Sequence, residues 1–287
     1  MQLRMGGAAA QLGDRADRNS DDNVLYENIF GMQVLKHSGN WSVWDGQSVY
    51  PSTNPSQECN WLSYTAQDQT AQICTHPTGP ITQQIEEHGH WVDCANMPRT
   101  DGVFVDVGAN IGSCVLDMLL TTTANVIAVE PHPINLFCLT NTLLGLSSDM
   151  QSRVLVIPAA LGADDTMSAI HTYLDEPGMS SITGIFGGEE TTLVPIHMFK
   201  ADTIFHDVSS VDYLLVDVEG YECEFATGAR GSLIRAADVF SMEFNQHHLN
   251  GAGCSRECLR ELVVDTHDLT EQQGGSDTDL IGHIKSS

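Results

Sequence analysis

Val103–Gly112 reads VFVDVGANIG, and the fold turns on how these ten residues are understood. The first five form a short apolar run broken only by Asp106, as expected of a strand buried on both faces of a parallel sheet. Gly108 and Gly112 let the chain turn tightly and approach a ligand closely. A helix expected over 111–122 would aim its free N–H groups into the same space. Ala109 and Asn110 stand where a dinucleotide fingerprint needs its second glycine, and no Gly-Lys-Ser/Thr follows. The turn is therefore neither GxGxxG nor a P-loop. Taken alone, it is also compatible with a purely structural strand–turn–helix junction.

Downstream, apolar strands alternate with helical stretches, the pattern of βαβ units. Strands are expected at 126–129, 154–160, 213–218 and 239–244, and helices at 134–146, 223–233 and 258–264. Residues 163–200 break the rhythm and suggest inserted antiparallel strands. The second strand ends in Glu130-Pro131. An acid about 20 residues after a glycine turn is placed to take ribose hydroxyls. Turn and acid together specify a nucleoside site at the carboxyl ends of neighbouring strands.

Upstream, residues 1–23 are expected to be a flexible terminus and 24–100 an irregular extension packed on a core domain of 101–287. A short helix is expected near 81–88. Trp41, Trp44, Trp61 and Trp91 all lie in the extension. They are read chiefly as anchors, with lining of a substrate pocket as the second role.

With 38 acidic against 12 Lys+Arg residues, the formal charge is −26. Such a surface repels phosphate backbones and anionic lipid, so nucleic-acid binding is excluded and electrostatic membrane docking disfavoured. A hydrophobic content of 41% suffices for a real core. No apolar run is long enough to span a bilayer. Met1–Gln11 lacks the apolar stretch of a secretory signal, and cytoplasmic and secretory origins stay equally open. Eight cysteines form no CxxC pair. Cys114, Cys138 and Cys223 read as small buried hydrophobes, while bridges among Cys59, Cys74, Cys94, Cys254 and Cys258 stay open. Asn40-Trp41-Ser42 is a glycosylation sequon.

Asp106–Gly112 (DVGANIG), Glu130-Pro131-His132-Pro133 with Asn141, Pro158–Gly162 (PAALG) and Asp217–Glu222 (DVEGYE) occur in the order of the FkbM-type methyltransferases, which the chain resembles over residues 100–245. The resemblance implies a Rossmann-like α/β class I methyltransferase sheet, mostly parallel, with S-adenosylmethionine as cofactor. It implies that Asp106, Gly108, Ala109, Asn110 and Gly112 hold the methionine part and that Glu130 and Pro131 meet the ribose. Ala160, with Ala159 and Leu161, would border the adenine, and Asp217 would sit near the transferring methyl. Asp217 and Glu219 are the implied catalytic pair, with a helix-capping role for Glu219-Gly220 as the alternative. The implied reaction is O-methylation of a hydroxyl on a small metabolite or glycan. An oxidoreductase and a non-catalytic binding module are the rivals.

Glu243, His247 and His248 invite a metal reading, but adjacent histidines do not easily face one ion, so no metal site is expected. One of them, or His132, is a further candidate for a substrate-side base. After Glu243 the resemblance fades: 272–279 is turn-rich, only 280–285 reads as a strand, and a shortened final hairpin is expected. The acceptor and the oligomeric state are not legible.

Overall fold

A computed structural model describes residues 25–29, 32–38, 41–52, 57–173, 180–184, 191–273 and 278–285. The terminus expected to be flexible and Asn40 of the sequon lie outside them. The chain opens with β1 (Leu25–Ile29), β2 (Met32–Ser38) and β3 (Trp41–Ser42), a small antiparallel sheet. A hairpin of β4 (Asn60–Ala66) and β5 (Gln69–Thr75) follows, then α1 (Pro80–His88) and α2 (Val92–Ala95). The extension is thus more regular than its sequence suggests.

The core begins with β6 (Val103–Val107), α3 (Ser113–Thr121), β7 (Asn125–Val129), α4 (Pro133–Leu144), α5 (Ser148–Gln151) and β8 (Val154–Ile157). Next come β9 (Ala160–Leu161), β10 (Thr166–Tyr173), β11 (Thr191–Phe199), α6 (Ala201–Ile204) and β12 (Val211–Val216). The chain ends with α7 (Glu222–Ala229), α8 (Leu233–Ala236), β13 (Ala237–Glu243), α9 (Gln246–Gly251), α10 (Arg256–Val263), β14 (His267–Gln273) and β15 (Thr278–Ile284).

Seven strands form the central sheet in the order β14-β15-β13-β12-β6-β7-β8. Pairing is parallel from β13 through β8, and β15 is antiparallel to both of its neighbours. Alternation along β6 sends Val105 and Val107 to one apolar layer and Phe104 to the other, with Ile127/Val129 and Val126/Ala128 repeating the split on β7. Helices on both faces bury these layers. The order reverses between β6 and β12, where open α/β sheets leave a crevice beyond the strand ends.

Three expectations need correction. The third strand stops at Ile157, because Pro158 has no N–H to continue the ladder. Ala160–Leu161 instead pairs with β11 in a separate small sheet with β10. The final hairpin is not shortened: seven register pairs join β14 to β15 and complete the sheet edge. Finally, Cys114 and Cys223 are half-cystines rather than free apolar residues. The bridges are Cys59–Cys74, Cys94–Cys114 and Cys223–Cys254, leaving Cys138 buried and Cys258 exposed. Bonds of this kind persist in oxidising compartments.

The extension is tied to the core by more than apolar packing. Cys94–Cys114 links α2 to α3. The Tyr64 hydroxyl donates to Asp117 Oδ2 at 3.1 Å, and Arg99 meets the other oxygen of the same buried carboxylate at 2.5 Å. Cys74 N–H donates to Thr142 Oγ1 at 2.9 Å. Trp44 packs against the core as an anchor, whereas Trp61 is 46% exposed.

Candidate active site

A cleft lies beyond the carboxyl ends of β6, β7 and β12, about 1190 Å³ when counted out to its open mouth. Its floor is the glycine turn. Gly108 takes φ 91°, and a Cβ there would overlap the Asp217 carbonyl oxygen, so the turn after β6 can press directly against the end of β12. Asp217 N–H in turn donates to Val107 O at 2.9 Å. Asn110 also has positive φ, 52°, and its side chain accepts from Ile111 N–H at 2.9 Å, which supports the left-handed backbone.

Asp106, Gly108, Ala109, Asn110, Glu130, Pro131, Ala160 and Asp217 all line the cleft, with Ala159 and Leu161 beside them. Gly112 does not; it turns the chain into α3 against Leu139. Asp106 is 2% exposed, and no hydrogen-bond partner reaches its Oδ2. Burial, reinforced by Asp217 and Glu130, pushes its pKa up to about 8. Ser113, at the start of α3, also lines the cleft with an unpartnered buried hydroxyl.

Glu130 is nearly fully buried but well held. Its Oε2 accepts from Asn110 N–H at 2.8 Å; its Oε1 accepts from His132 N–H at 2.8 Å and from Asn135 Nδ2 at 3.3 Å. Asn135 Oδ1 in turn meets His76 Nε2 at 2.8 Å, so the residue following β5 of the extension reaches Glu130 through one amide. Burial raises the Glu130 pKa to about 7 against the lowering effect of these N–H donors.

The strand does not persist through Asp217-Val218-Glu219. It ends at Val216, and Glu219 takes φ 54°, so both acids line one cleft instead of opposite faces. Glu222 holds the turn: its Oε1 accepts from Val218 N–H at 3.2 Å and Gly220 N–H at 3.3 Å. Glu222 is fully buried, and its pKa rises to about 7 through burial, with Asp217 adding to the shift. Glu222 thus clamps the turn, while α7 starts after Tyr221 with no side-chain cap, so the expected capping role for Glu219-Gly220 is not seen.

The family model for the methyltransferase FkbM domain matches residues 106–273. The chain belongs to the FkbM methyltransferase family. No curated protein matches it in sequence. Among solved structures, the FkbM methyltransferase of Methylobacillus flagellatus is 19% identical with a TM-score of 0.46, over 68% of this chain and 48% of that one. The family member described here thus spans about half the length of that relative. The precorrin-6y C5,15-methyltransferase of Geobacter metallireducens is 13% identical, with a TM-score of 0.41 over 75% and 94% of the two chains. A methyltransferase of Pyrococcus furiosus is 11% identical, with a TM-score of 0.38 over 74% and 87%.

In this FkbM-family methyltransferase some candidates stand away from the cleft. Asn141 bonds back to its own helix at Phe137 O. His132 is buried, meets Thr172 Oγ1 at 2.7 Å, and is driven by burial to a pKa of about 4. It does not line the cleft, so the structure does not place it where a substrate-side base would act. Glu243 and His248 come together, joined by Glu219 rather than by His247. No helix among the described residues is long and apolar enough to cross a membrane.

Several lining residues carry no sequence signal. Pro80, Ile81 and Cys94 bring the extension to the cleft, and Ile170 and Ser181 bring the β10 excursion; Trp91 joins them in the pocket-lining role read as second for the tryptophans. Asn135 is the polar partner of Glu130, not Asn141. Its one available clue is its position in the first turn of the helix after Glu130-Pro131, one turn on from the acid it contacts.

Proposed function

We propose that this FkbM-family methyltransferase uses S-adenosylmethionine to methylate a hydroxyl of a small metabolite or glycan. The observation that carries the reading is the unpartnered, buried Asp106 Oδ2 facing a cleft built on the Gly108 turn. A buried carboxylate with an open acceptor is costly on its own and suits the ammonium of a methionine moiety. The Ser113 hydroxyl and the α3 N-terminus suit its carboxylate. Glu130 has about four acceptor positions, of which three are filled, leaving Oε2 one for a ribose hydroxyl. Ala159, Ala160 and Leu161 offer small apolar groups to a flat base.

When bound, the cofactor supplies a methyl group on a sulfonium, and the electron pair of the breaking bond returns to sulfur. The chain's own task is then positioning and proton management. Asp217 lines the cleft where the turn after β6 meets the end of β12. It orients the acceptor hydroxyl and accepts its proton as the oxygen takes the methyl. Glu219 lines the same wall. The extension and the β10 excursion, contributing Trp91, Ile81, Ile170 and Ser181, shape the acceptor side; residues 101–287 are the catalytic unit and 24–100 an addition to it.

No lysine or arginine is found among the described lining residues, whereas four carboxylates are. A pyrophosphate would meet like charge there, which disfavours the dinucleotide oxidoreductase. Calorimetric titration tests the choice: S-adenosylhomocysteine binds and NAD does not. Binding of NAD alone would overturn the assignment. A search for a +14 Da product among hydroxylated candidates then reads the acceptor.

A further inference from the structure

Glu219, Glu243 and His248 reach one point from three segments: the turn after β12, the end of β13, and α9. One donor atom of each lies within 4.8 Å of the other two. His248 Nδ1 stands 2.8 Å from Glu243 Oε1 and 3.6 Å from Glu219 Oε2. The side chains are 14% (His248), 11% (Glu243) and 25% (Glu219) exposed, so this is a sheltered mixed N/O donor set and not a solvated acidic face.

The backbone holds each donor. Glu219 sits in the left-handed turn that Glu222 clamps from below. The Asn245 side chain accepts from the N–H groups of His247 and His248 and fixes the start of α9. Gly220 has φ 93°, and a Cβ on it would strike the His248 carbonyl, so the turn and α9 touch only because the residue is glycine.

Both carboxylates thus converge on the imidazole nitrogen, and a divalent cation takes two carboxylate oxygens and a nitrogen lone pair as one ligand set. The spacing suits it: ligands about 2.1 Å from a metal stand about 3.0 Å apart at octahedral angles and about 3.4 Å apart at tetrahedral ones. The objection to a metal in the sequence was that His247 and His248 cannot share an ion. It does not apply here, because the third donor is Glu219.

We propose that Glu219, Glu243 and His248 bind one divalent cation beside the cleft, whose wall Glu219 lines, with open positions for the acceptor's oxygens. For its acceptor clause the proposal rests on the methyl-transfer reading above. It narrows the substrate class to molecules with two neighbouring oxygens, such as a vicinal diol, that can chelate the ion beside Asp217. A cation there lowers the pKa of the bound hydroxyl. The O–H bond then breaks toward Asp217 or solvent, an O–CH₃ bond forms, and the sulfur keeps the electrons of the bond it loses.

The test uses the full chain, stripped with a chelator and titrated with Mn²⁺, followed by the electron paramagnetic resonance of free ion and by calorimetry. Mn²⁺ prefers oxygen and imidazole to thiolate, which sets this site apart from the clustered Cys223, Cys254 and Cys258. The expected result is saturation at one equivalent, weakened by ~tenfold or more in Glu243→Gln and in His248→Gln. S-adenosylhomocysteine is titrated in parallel, and both variants should keep its affinity, which also shows that they are folded. Failure of that ligand to bind wild-type protein sinks the cofactor reading while leaving the metal result standing. Absence of one-equivalent binding by Mn²⁺, Mg²⁺ or Zn²⁺, or binding equally tight in both variants, overturns the metal site.

Discussion

If Asp106 holds the cofactor's ammonium as proposed, cofactor binding depends on pH by an amount that follows from its burial. Its pKa is raised to about 8 by burial and by the neighbouring acids Asp217 and Glu130. At pH 7 the carboxyl of the unliganded protein is therefore about one-tenth ionised, and at pH 6 about one-hundredth. A ligand whose ammonium needs the ionised form must first remove that proton, at about 1.4 kcal/mol per pH unit below the pKa. S-adenosylhomocysteine should accordingly bind about tenfold tighter at pH 7 than at pH 6, gain about fivefold more by pH 8, and release a proton on binding. The sign differs from that of an ordinary acid: with the folded pKa above the unfolded one, unliganded protein is most stable below about pH 4 with respect to this group and loses stability as pH rises toward 8. Asp106→Asn removes the titration. At pH 8.5 the variant should bind about 10- to 150-fold more weakly, the value of a charge-assisted hydrogen bond. At pH 6 it should nearly match wild type, because a protonated aspartic acid and asparagine are then electrostatically alike. Calorimetry in two buffers of different ionisation enthalpy reads both affinity and proton count. Parallel pH curves for variant and wild type, or a flat wild-type curve, would refute the argument.

Other consequences are simpler. Arg99→Met strips the cation from the buried Asp117 carboxylate and should cost about 3–5 kcal/mol in chemical denaturation, whereas Tyr64→Phe, losing one hydrogen bond to the same group, should cost about 1–2 kcal/mol. Equal losses in the two variants would mean that the pair does not act as an ion pair. Cys94→Ser opens a loop of 20 residues and should lower unfolding free energy by about 3 kcal/mol; added reductant should not lower it further through this bridge. Gly108→Ala drives a methyl group into the Asp217 carbonyl at positive φ and should abolish S-adenosylhomocysteine binding, together with a loss of stability of at least about 1–3 kcal/mol. Unchanged binding in that variant would show that the turn is not part of the nucleoside site.

What was legible in the sequence depended on whether a signal is local. VFVDV at β6 and YLLV in β12 carry their own burial, because strands covered on both faces need no partner to be recognised. β14 carries none: HDLTEQQ is mostly exposed, and it is a strand only because β15 pairs with it, so 272–279 reads as turn. The same distinction runs through the site. Asp106, Glu130 and Asp217 were readable since each lies within one residue of the carboxyl end of an apolar strand. Glu222 sat unassigned within the quoted DVEGYE, because its role needs two N–H groups exposed only when β12 stops at Val216. Disulfide partners are invisible for the same reason; Cys94 and Cys114 meet through the packing of α2 on α3.

The charge of −26 divides along this line too. Most carboxylates are individually uninformative, and a sequence offers no way to rank them. The fold ranks them by where it puts them: Asp106, Glu130 and Glu222 out of solvent, and Glu219 and Glu243 around one His248 nitrogen. Burying a carboxylate without a full set of partners costs free energy, and a stable chain keeps that cost where a cation repays it. On the two proposals above, a methionine ammonium at Asp106 and a divalent ion at Glu219 and Glu243 would be the cations that repay it. They should be separable, since one answers to Asp106→Asn and the other to Glu243→Gln.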